Sequence, residues 1–354
     1  MLKSIIKNRN VTSFGWCSYL FLLSIQGWGQ AVPTPAALAA SEEAQQHIAA
    51  AMILAGSDLS GKVEALCSAA GPRRAGLVRQ AAGLPQVERY VLEPTRLFEN
   101  LYYIGFNVVG AWAIETSEGL ILIDTLYSPD DARDVLVPGL EKLGLDPAQI
   151  KYIVIGHGHH DHVGGASYFQ ETYGARILIS EADWDLALSQ ETPDRPRPLR
   201  DMIVTDGQQL TLGDTTLTLA LAPGHTAGTL AMFVPVKHLG RTHTAVIFSG
   251  TQMPSQESID TWRHVFDDFA RPLEAETALG GHPGIADLGA EDMARCLESG
   301  GPCWTQSMNT IELKAQFRQQ YPTGPHPLLL GTERFGRYMS IMLECASARL
   351  AAME

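Results

Sequence analysis

The chain has 354 residues, with 26 basic and 39 acidic side chains and a formal charge of −13. That length can bury one large core with appendages, or at most two modest domains. A hydrophobic content of 45%, with 33 Gly and 20 Pro, belongs to a globular protein and not to a disordered or fibrous one, while the acidic balance repels phosphate backbones and argues against a nucleic-acid partner.

The first segment reads as a targeting signal. Lys3, Lys7 and Arg9 give it a positive start, and no acidic residue occurs before Glu42. An apolar run from Trp16 to Ile25 and then small residues up to Ala31 follow. This order predicts a cleavable secretory signal over residues 1–31. Its apolar run is too short for a bilayer core that needs about 20 residues. The expected product is periplasmic or secreted, with no membrane association once the signal is removed. Four of the five cysteines lie beyond the signal, an even number that permits two disulfides in an oxidising compartment. Cys296 and Cys303 bracket a Gly-Gly-Pro loop that a local bridge could close, which would leave Cys67 to pair with Cys345. Four buried free thiols are the alternative, since spacing does not fix connectivity.

Residues 36–70 are rich in Ala, Glu and Gln and read as helical up to Gly71-Pro72, within an N-terminal segment spanning 32–94. From Leu101 the pattern changes. Leu101–Phe106, Val108–Glu115 and Leu120–Asp124 are short apolar or alternating runs separated by turn residues, the pattern of strands. Asp130–Leu143 has helical spacing, Tyr152–Ile155 is a short buried strand, Gly165–Tyr173 a helix and Arg176–Ser180 a strand. A helix follows from Glu181, then a surface loop at Thr192–Pro198. Gln209–Leu212, Thr216–Leu221, Thr229–Val236 and Ala245–Ser249 are strand-like. After Ser258 the signal is mainly helical to the end. A helix near Arg334–Leu350 places Phe335, Tyr338, Met339 and Met342 on one face, as packing on the body requires. Strands interspersed with helices in both halves predict an α+β or α/β fold of two packed sheets with helices outside, over 95–285, followed by a helical extension over 286–354.

The chemistry concentrates after the Tyr152–Ile155 strand, in His157-Gly158-His159-His160-Asp161-His162-Val163-Gly164-Gly165. Imidazole and carboxylate are good ligands for zinc. Two histidines one residue apart in an extended loop point the same way, so His157 and His159 can share one metal while Asp161 and His162 serve another. A single histidine here would be read as a solvated loop residue; the cluster is read as a metal site. Two further histidines sit in Gly-rich turns and supply the missing ligands, His225 in Pro223–Gly228 and His282 in Gly281–Gly284. His160 lies inside the cluster without a geometric requirement, and His47, His238, His243, His264 and His326 are unclustered and expected at the surface. Phe106 and Trp112 flank the early turn, as pocket wall or as core.

These motifs resemble those of the metallo-β-lactamase superfamily. The resemblance rests on His157–His162, on the Asp-bearing strand end Leu122-Ile123-Asp124-Thr125 and on Pro223–Gly228, and it covers roughly residues 95–285. It implies a four-layer αββα sandwich with two Zn2+ between the sheet edges. His157, His159 and His225 would hold the first, and Asp161, His162 and His282 the second. Asp124 would orient the ligand loop from behind; its other reading is a strand-end carboxylate capping a turn. Many members carry a metal-bridging Asp in a Thr-Gly-Asp segment, where this chain has Ser249-Gly250-Thr251. The third subclass of metallo-β-lactamases shares that departure and the closing His-Pro-Gly. Thr226 and Thr251 are candidates to support the site or to hydrogen-bond substrate.

The mechanism expected from such a pair of metals is attack of a bound hydroxide on a polarised carbonyl, with Asp161 also orienting the nucleophile. The substrate would be a small molecule with a cyclic or activated acyl bond, a β-lactam first, with a lactone or thioester as the alternative. A non-catalytic zinc-binding module is a third reading, disfavoured by the complete ligand set.

Overall fold

The computed structural model describes residues 33–69, 89–193, 195–282, 326 and 328–354. The signal over residues 1–31, the Cys296–Cys303 bridge and most of the extension from residue 286 lie outside the described residues.

Strands β1 to β7 form one sheet in chain order: Thr95–Phe98, Leu101–Gly105, Gly110–Thr116, Gly119–Ile123, Ile150–Val154, Arg176–Ser180 and Met202–Val204. The first four pair antiparallel through tight turns, whereas β4, β5, β6 and β7 pair parallel through helical crossovers. The second sheet has the order β12-β11-β10-β9-β8, built from Gln208–Leu212 (β8), Thr215–Leu221 (β9), Leu230–His238 (β10), Arg241–Phe248 (β11) and Ala275–Gly280 (β12). All its pairs are antiparallel except β11 with β12.

Period-two alternation assigns each strand's residues to two cores. Ile121 and Ile123 of β4 face the second sheet, where they join Trp112, Val154, Leu219, Met232 and Ile247. Leu120 and Leu122 of the same strand point outward and pack with Leu136, Leu140, Phe169 and Trp184 from the helices on that side. On the far side, Phe233, Val246 and Phe248 meet Trp262, Phe266, Phe335 and Met342. Three apolar layers therefore separate four structural layers, helix, sheet, sheet and helix, the αββα sandwich of the sequence reading.

The N-terminal segment is helical as expected but broken into Pro35–Ala40, Glu42–Ala55 and Ser60–Leu66. Thr34 and Ser41 cap the first two helices by accepting from the amides of Ala37 and Ala44. These helices lie against the C-terminal helix Thr332–Ala351, where Phe335, Tyr338, Met339 and Met342 are buried. Arg334 and Arg337 both pair with Asp58 there, and Arg337 before Arg334 holds that carboxyl below its usual range. Cys67 and Cys345 form a disulfide. Among the described residues no helix is long and apolar enough to cross a membrane.

Two expectations need correction. The helical reading after Ser258 holds for Gln256–His264 and the helical turns Val265–Ala270, but Ala275–Gly280 is a strand. With Thr277 its one β-branched residue and no alternation, only parallel pairing with β11 reveals it. Strands β1 and β7 are also absent from the sequence reading, each being only 3 or 4 residues long.

Candidate metal centre

The site forms where β4, β5, β9 and β12 end and their turns meet. After β4 the chain reverses through Asp124 and Leu126, both with left-handed φ (62° and 64°). Such backbone costs on the order of 1–3 kcal/mol for a non-glycine residue and persists where surrounding contacts impose it. Here the contacts are visible. Thr125 donates to the carbonyl of His162 from its amide (2.7 Å) and from its hydroxyl (2.9 Å). Gly164 lies so close to Tyr127 that a Cβ would stand 2.0 Å from that residue's carbonyl carbon. The paired glycines after the cluster are thus needed for the short helix His160–Val163 to seat on this turn.

His157, Asp161 and His162 are buried, while His159, His225 and His282 are partly exposed and form the solvent side. His157 Nε2, His159 Nδ1 and His225 Nε2 form a triangle with sides of 2.9, 3.1 and 3.1 Å. Beside it, His162 Nε2 stands 3.0 Å from His282 Nε2, with Asp161 Oδ2 at 3.7 and 3.5 Å from the two. His157 also lies within 4.8 Å of Asp161 and His162, so the groups adjoin. The structure therefore brings together all six side chains expected from the sequence.

The ring nitrogens facing away fix which lone pairs converge. His282 Nδ1–H donates to the Val108 carbonyl (2.7 Å), which can only accept. His162 Nδ1–H donates to the Asp124 carboxylate (2.7 Å). In the neutral imidazoles both Nε2 atoms are then bare, and two lone pairs face one another across 3.0 Å. Such a pair can be bridged by a metal ion or by a proton on one of the rings. Three imidazole nitrogens in one group, and imidazoles with a carboxylate in the other, are donor sets suited to a transition metal. Burial first, and then the surrounding imidazoles, hold His157 well below the ordinary histidine range, in the neutral form a ligand needs. Its Nδ1 is 2.8 Å from Ser249 Oγ.

Asp124 takes the orienting position and not that of a simple turn cap, since its second oxygen accepts from the Gly156 amide (2.8 Å) at the start of the ligand loop. Thr226 is placed differently from a substrate-binding group. It is buried, its hydroxyl donates to Asp183 Oδ2 (2.6 Å) and it contacts Thr229 Oγ1 (2.7 Å). Of the two roles open to it in the sequence, its contacts are those of support. Thr251 lies in the segment packed on the His225 turn, where Gly250 abuts the His225 side chain and the Gln252 carbonyl abuts Gly224.

Asp183 is the residue that sequence reasoning missed. It is buried on the helix Glu181–Ser189, accepts from Gly158 N (2.9 Å) and Thr226 Oγ1 (2.6 Å) on one oxygen, and accepts from Gly228 N (3.0 Å) on the other. One carboxylate thereby ties the His157–His162 loop to the His225 turn. Burial pushes its carboxyl up, against the opposing pull of those hydrogen bonds. In the sequence it is an acid in the first turn of a helix, a common placement with a purely local explanation. The only other signal is its proximity to Gly228, where a Cβ would come 2.8 Å from Asp183 Oδ1.

Trp112 belongs to the core between the sheets, whereas Phe106 is buried at the turn beside His282. The ring of His160 packs against Tyr127, with centroids 5.6 Å apart. Of the histidines expected at the surface, His264 is partly exposed and His47 is half-buried against Glu344, but His238 and His326 are buried and His243 half-buried. Stacking on Phe98 and on one another draws these last three inward.

Residues 104–239 match the metallo-β-lactamase superfamily. Among solved structures, the chain is similar to a subclass B3 metallo-β-lactamase of Bradyrhizobium japonicum, with 27% identity and a TM-score of 0.52, over 70% of this chain and 90% of that one. A metallo-β-lactamase domain-containing protein 1 of Xenopus laevis is 27% identical over 160 residues, 45% of this chain and 60% of that protein. A hydroxyacylglutathione hydrolase of Pseudomonas paraeruginosa is 28% identical over 165 residues, 44% of this chain and 56% of its own. The chain thus spans little more than half the length of these two curated relatives. With the paired sheets, the His-x-His-x-Asp-His loop and the convergent turns, residues 104–239 carry a domain of the metallo-β-lactamase superfamily.

Proposed function

We propose that this chain is an exported dinuclear zinc hydrolase that opens a β-lactam ring. The observation that carries the reading is the pair of adjoining donor groups, three imidazole nitrogens within 3.1 Å of one another and, beside them, two Nε2 atoms 3.0 Å apart with the Asp161 carboxylate 3.5 Å from one of them. His157, His159 and His225 would hold one zinc, and Asp161, His162 and His282 the other. Zinc at such a site lowers the pKa of its water to about 7 and polarises a carbonyl. The protein's own part is to fix the geometry. Asp124 and Ser249 orient the His162 and His157 rings, Asp183 holds the two ligand turns in register, and Asp161 orients the attacking water. Hydrolysis then adds water across the acyl bond, which breaks as the leaving nitrogen takes up a proton.

The choice of a β-lactam over a lactone or thioester rests on Thr251 standing where many members carry a bridging carboxylate, and on the likeness to the Bradyrhizobium enzyme. The test is a side-by-side assay of zinc-loaded enzyme on a chromogenic cephalosporin, an acyl-homoserine lactone and an acyl-glutathione thioester. We expect turnover of the cephalosporin that chelation abolishes; turnover of the lactone or thioester alone overturns the substrate. Export rests on the basic-then-apolar order of residues 1–31, and the Cys67–Cys345 bridge accords with an oxidising compartment. N-terminal sequencing of the mature protein checks it, with a first residue near Ala31 expected and an intact Met1 refuting cleavage.

A further inference from the structure

The segment leading into β1 pairs with the turn between β2 and β3, the turn whose Val108 carbonyl holds His282. Val91 bridges to Phe106, the Leu92 amide donates to the Gly105 carbonyl (2.8 Å), and the Asn107 amide donates to the Tyr90 carbonyl (3.0 Å). The Tyr90 amide in turn donates to Asn107 Oδ1 (2.9 Å). These bonds fix the backbone beside Arg89, whose guanidinium carbon sits 4.4 Å from the ring centre of Phe106 and 4.9 Å from that of Tyr127. Each ring is one step from the metal ligands. Tyr127 packs on His160, which lies between His159 and Asp161, and Phe106 belongs to the turn whose Val108 carbonyl holds His282.

No carboxylate among the described residues pairs with Arg89, which is exposed. A guanidinium lying on aromatic faces is held by cation–π attraction and keeps its edge N–H groups directed outward, in the fork that matches a carboxylate. A chain with 39 acidic and 26 basic residues repels anions at long range. A cation that lies on two aromatic rings, with no carboxylate partner among the described residues, therefore has a specific use.

From this geometry we infer that Arg89 is the anion-recognising group of the cleft, and that the substrate carries a carboxylate set apart from the bond that is cleaved. This rests on the hydrolase reading above and sharpens it, because a β-lactam bears such a group and an uncharged acyl-homoserine lactone does not.

An equilibrium ruler tests it without turnover. Zinc-loaded protein is titrated calorimetrically with ω-mercaptoalkanoates of increasing length, from mercaptoacetate upward, and with the ω-mercaptoalcohols of matching length. The thiol end anchors at the metals in both series, and the far end differs only in charge. We expect one range of lengths at which the carboxylate binds about tenfold tighter than the alcohol, the range of one charge-assisted pair. R89A should remove that advantage and R89K most of it, while alcohol affinity and zinc content stay as in the parent protein. A carboxylate advantage absent at every length, or retained in R89A, overturns the assignment while the metal centre stands. Failure of both series to bind the parent protein overturns the metal reading itself, and the proposal with it.

Discussion

Two ends of the sandwich gather histidines, and strand β10 connects them, beginning at Leu230 just after the His225 turn and ending at His238. At the first end the outward nitrogens of His157, His162 and His282 are engaged by Ser249, Asp124 and the Val108 carbonyl, so the other nitrogen of each ring faces inward. At the second end, His326 Nε2–H donates to the Leu97 carbonyl (2.7 Å) while its Nδ1 accepts from the Leu328 amide (3.2 Å). The same ring stacks on Phe98 at 4.0 Å and meets His238 at 5.0 Å, and His243 pairs with Glu276. Both ends are rich in imidazole, yet among the described residues groups of three ligand-type side chains within 4.8 Å occur only at the first. What separates a metal centre from a packed core is where the second nitrogen of each ring is spent.

That contrast can be broken from either side. The largest effect is expected at His157. His157→Ala should cost at least about a thousandfold in activity, roughly 4 kcal/mol, and bound metal measured by elemental analysis should fall with it. Asp124→Asn keeps the size but weakens the acceptor that fixes His162. We expect metal affinity to drop about 10- to 100-fold in chelator competition, and an unchanged affinity would return Asp124 to the role of a turn cap. At the second end, His326→Ala should leave metal content unaltered and lower unfolding free energy by about 1–3 kcal/mol, because the Leu97 carbonyl and Leu328 amide lose a buried partner. Asp183→Asn should cost a similar amount, about 1–3 kcal/mol, and also weaken metal retention, which a purely stabilising residue would not do.

The smallest effect belongs to a histidine of neither end. His264 lies between Asp206, the larger influence, and Asp268, and both raise its pKa above 6.5. A group with a raised folded pKa contributes stability that is complete below the unfolded value and lost as pH rises through the folded one. The side chain is 42% exposed, so the contribution is at most about 0.5 kcal/mol. His264→Gln should melt slightly below the parent protein at pH 6 and level with it at alkaline pH; a gap that widens with pH contradicts the assignment.

The metal centre was legible because its ligands are contiguous or lie in glycine-rich turns, and because Asp161 and three nearby imidazoles occur within six residues. The strands that frame it were legible where short Leu/Ile runs are bounded by polar or turn residues, as in Leu120–Asp124 and Arg176–Ser180. Ala275–Gly280 was not, since its identity as a strand depends on a parallel neighbour distant in sequence. Asp183 was hidden for the same reason. Its partners Gly158 and Gly228 lie 25 and 45 positions away, and only folding brings three donors to one carboxylate. His238 and His326 looked solvated because aromatic stacking across strands leaves no local pattern.

The Cys67–Cys345 bond spans 278 positions and makes the domain a covalent ring that encloses both sheets. Any single backbone cut between those cysteines therefore leaves one molecule, not two. A nicked copy would keep its mass on a non-reducing gel and release fragments only when a thiol is added. The fragments stay at high effective concentration, so a clipped surface loop need not end the working life of the protein.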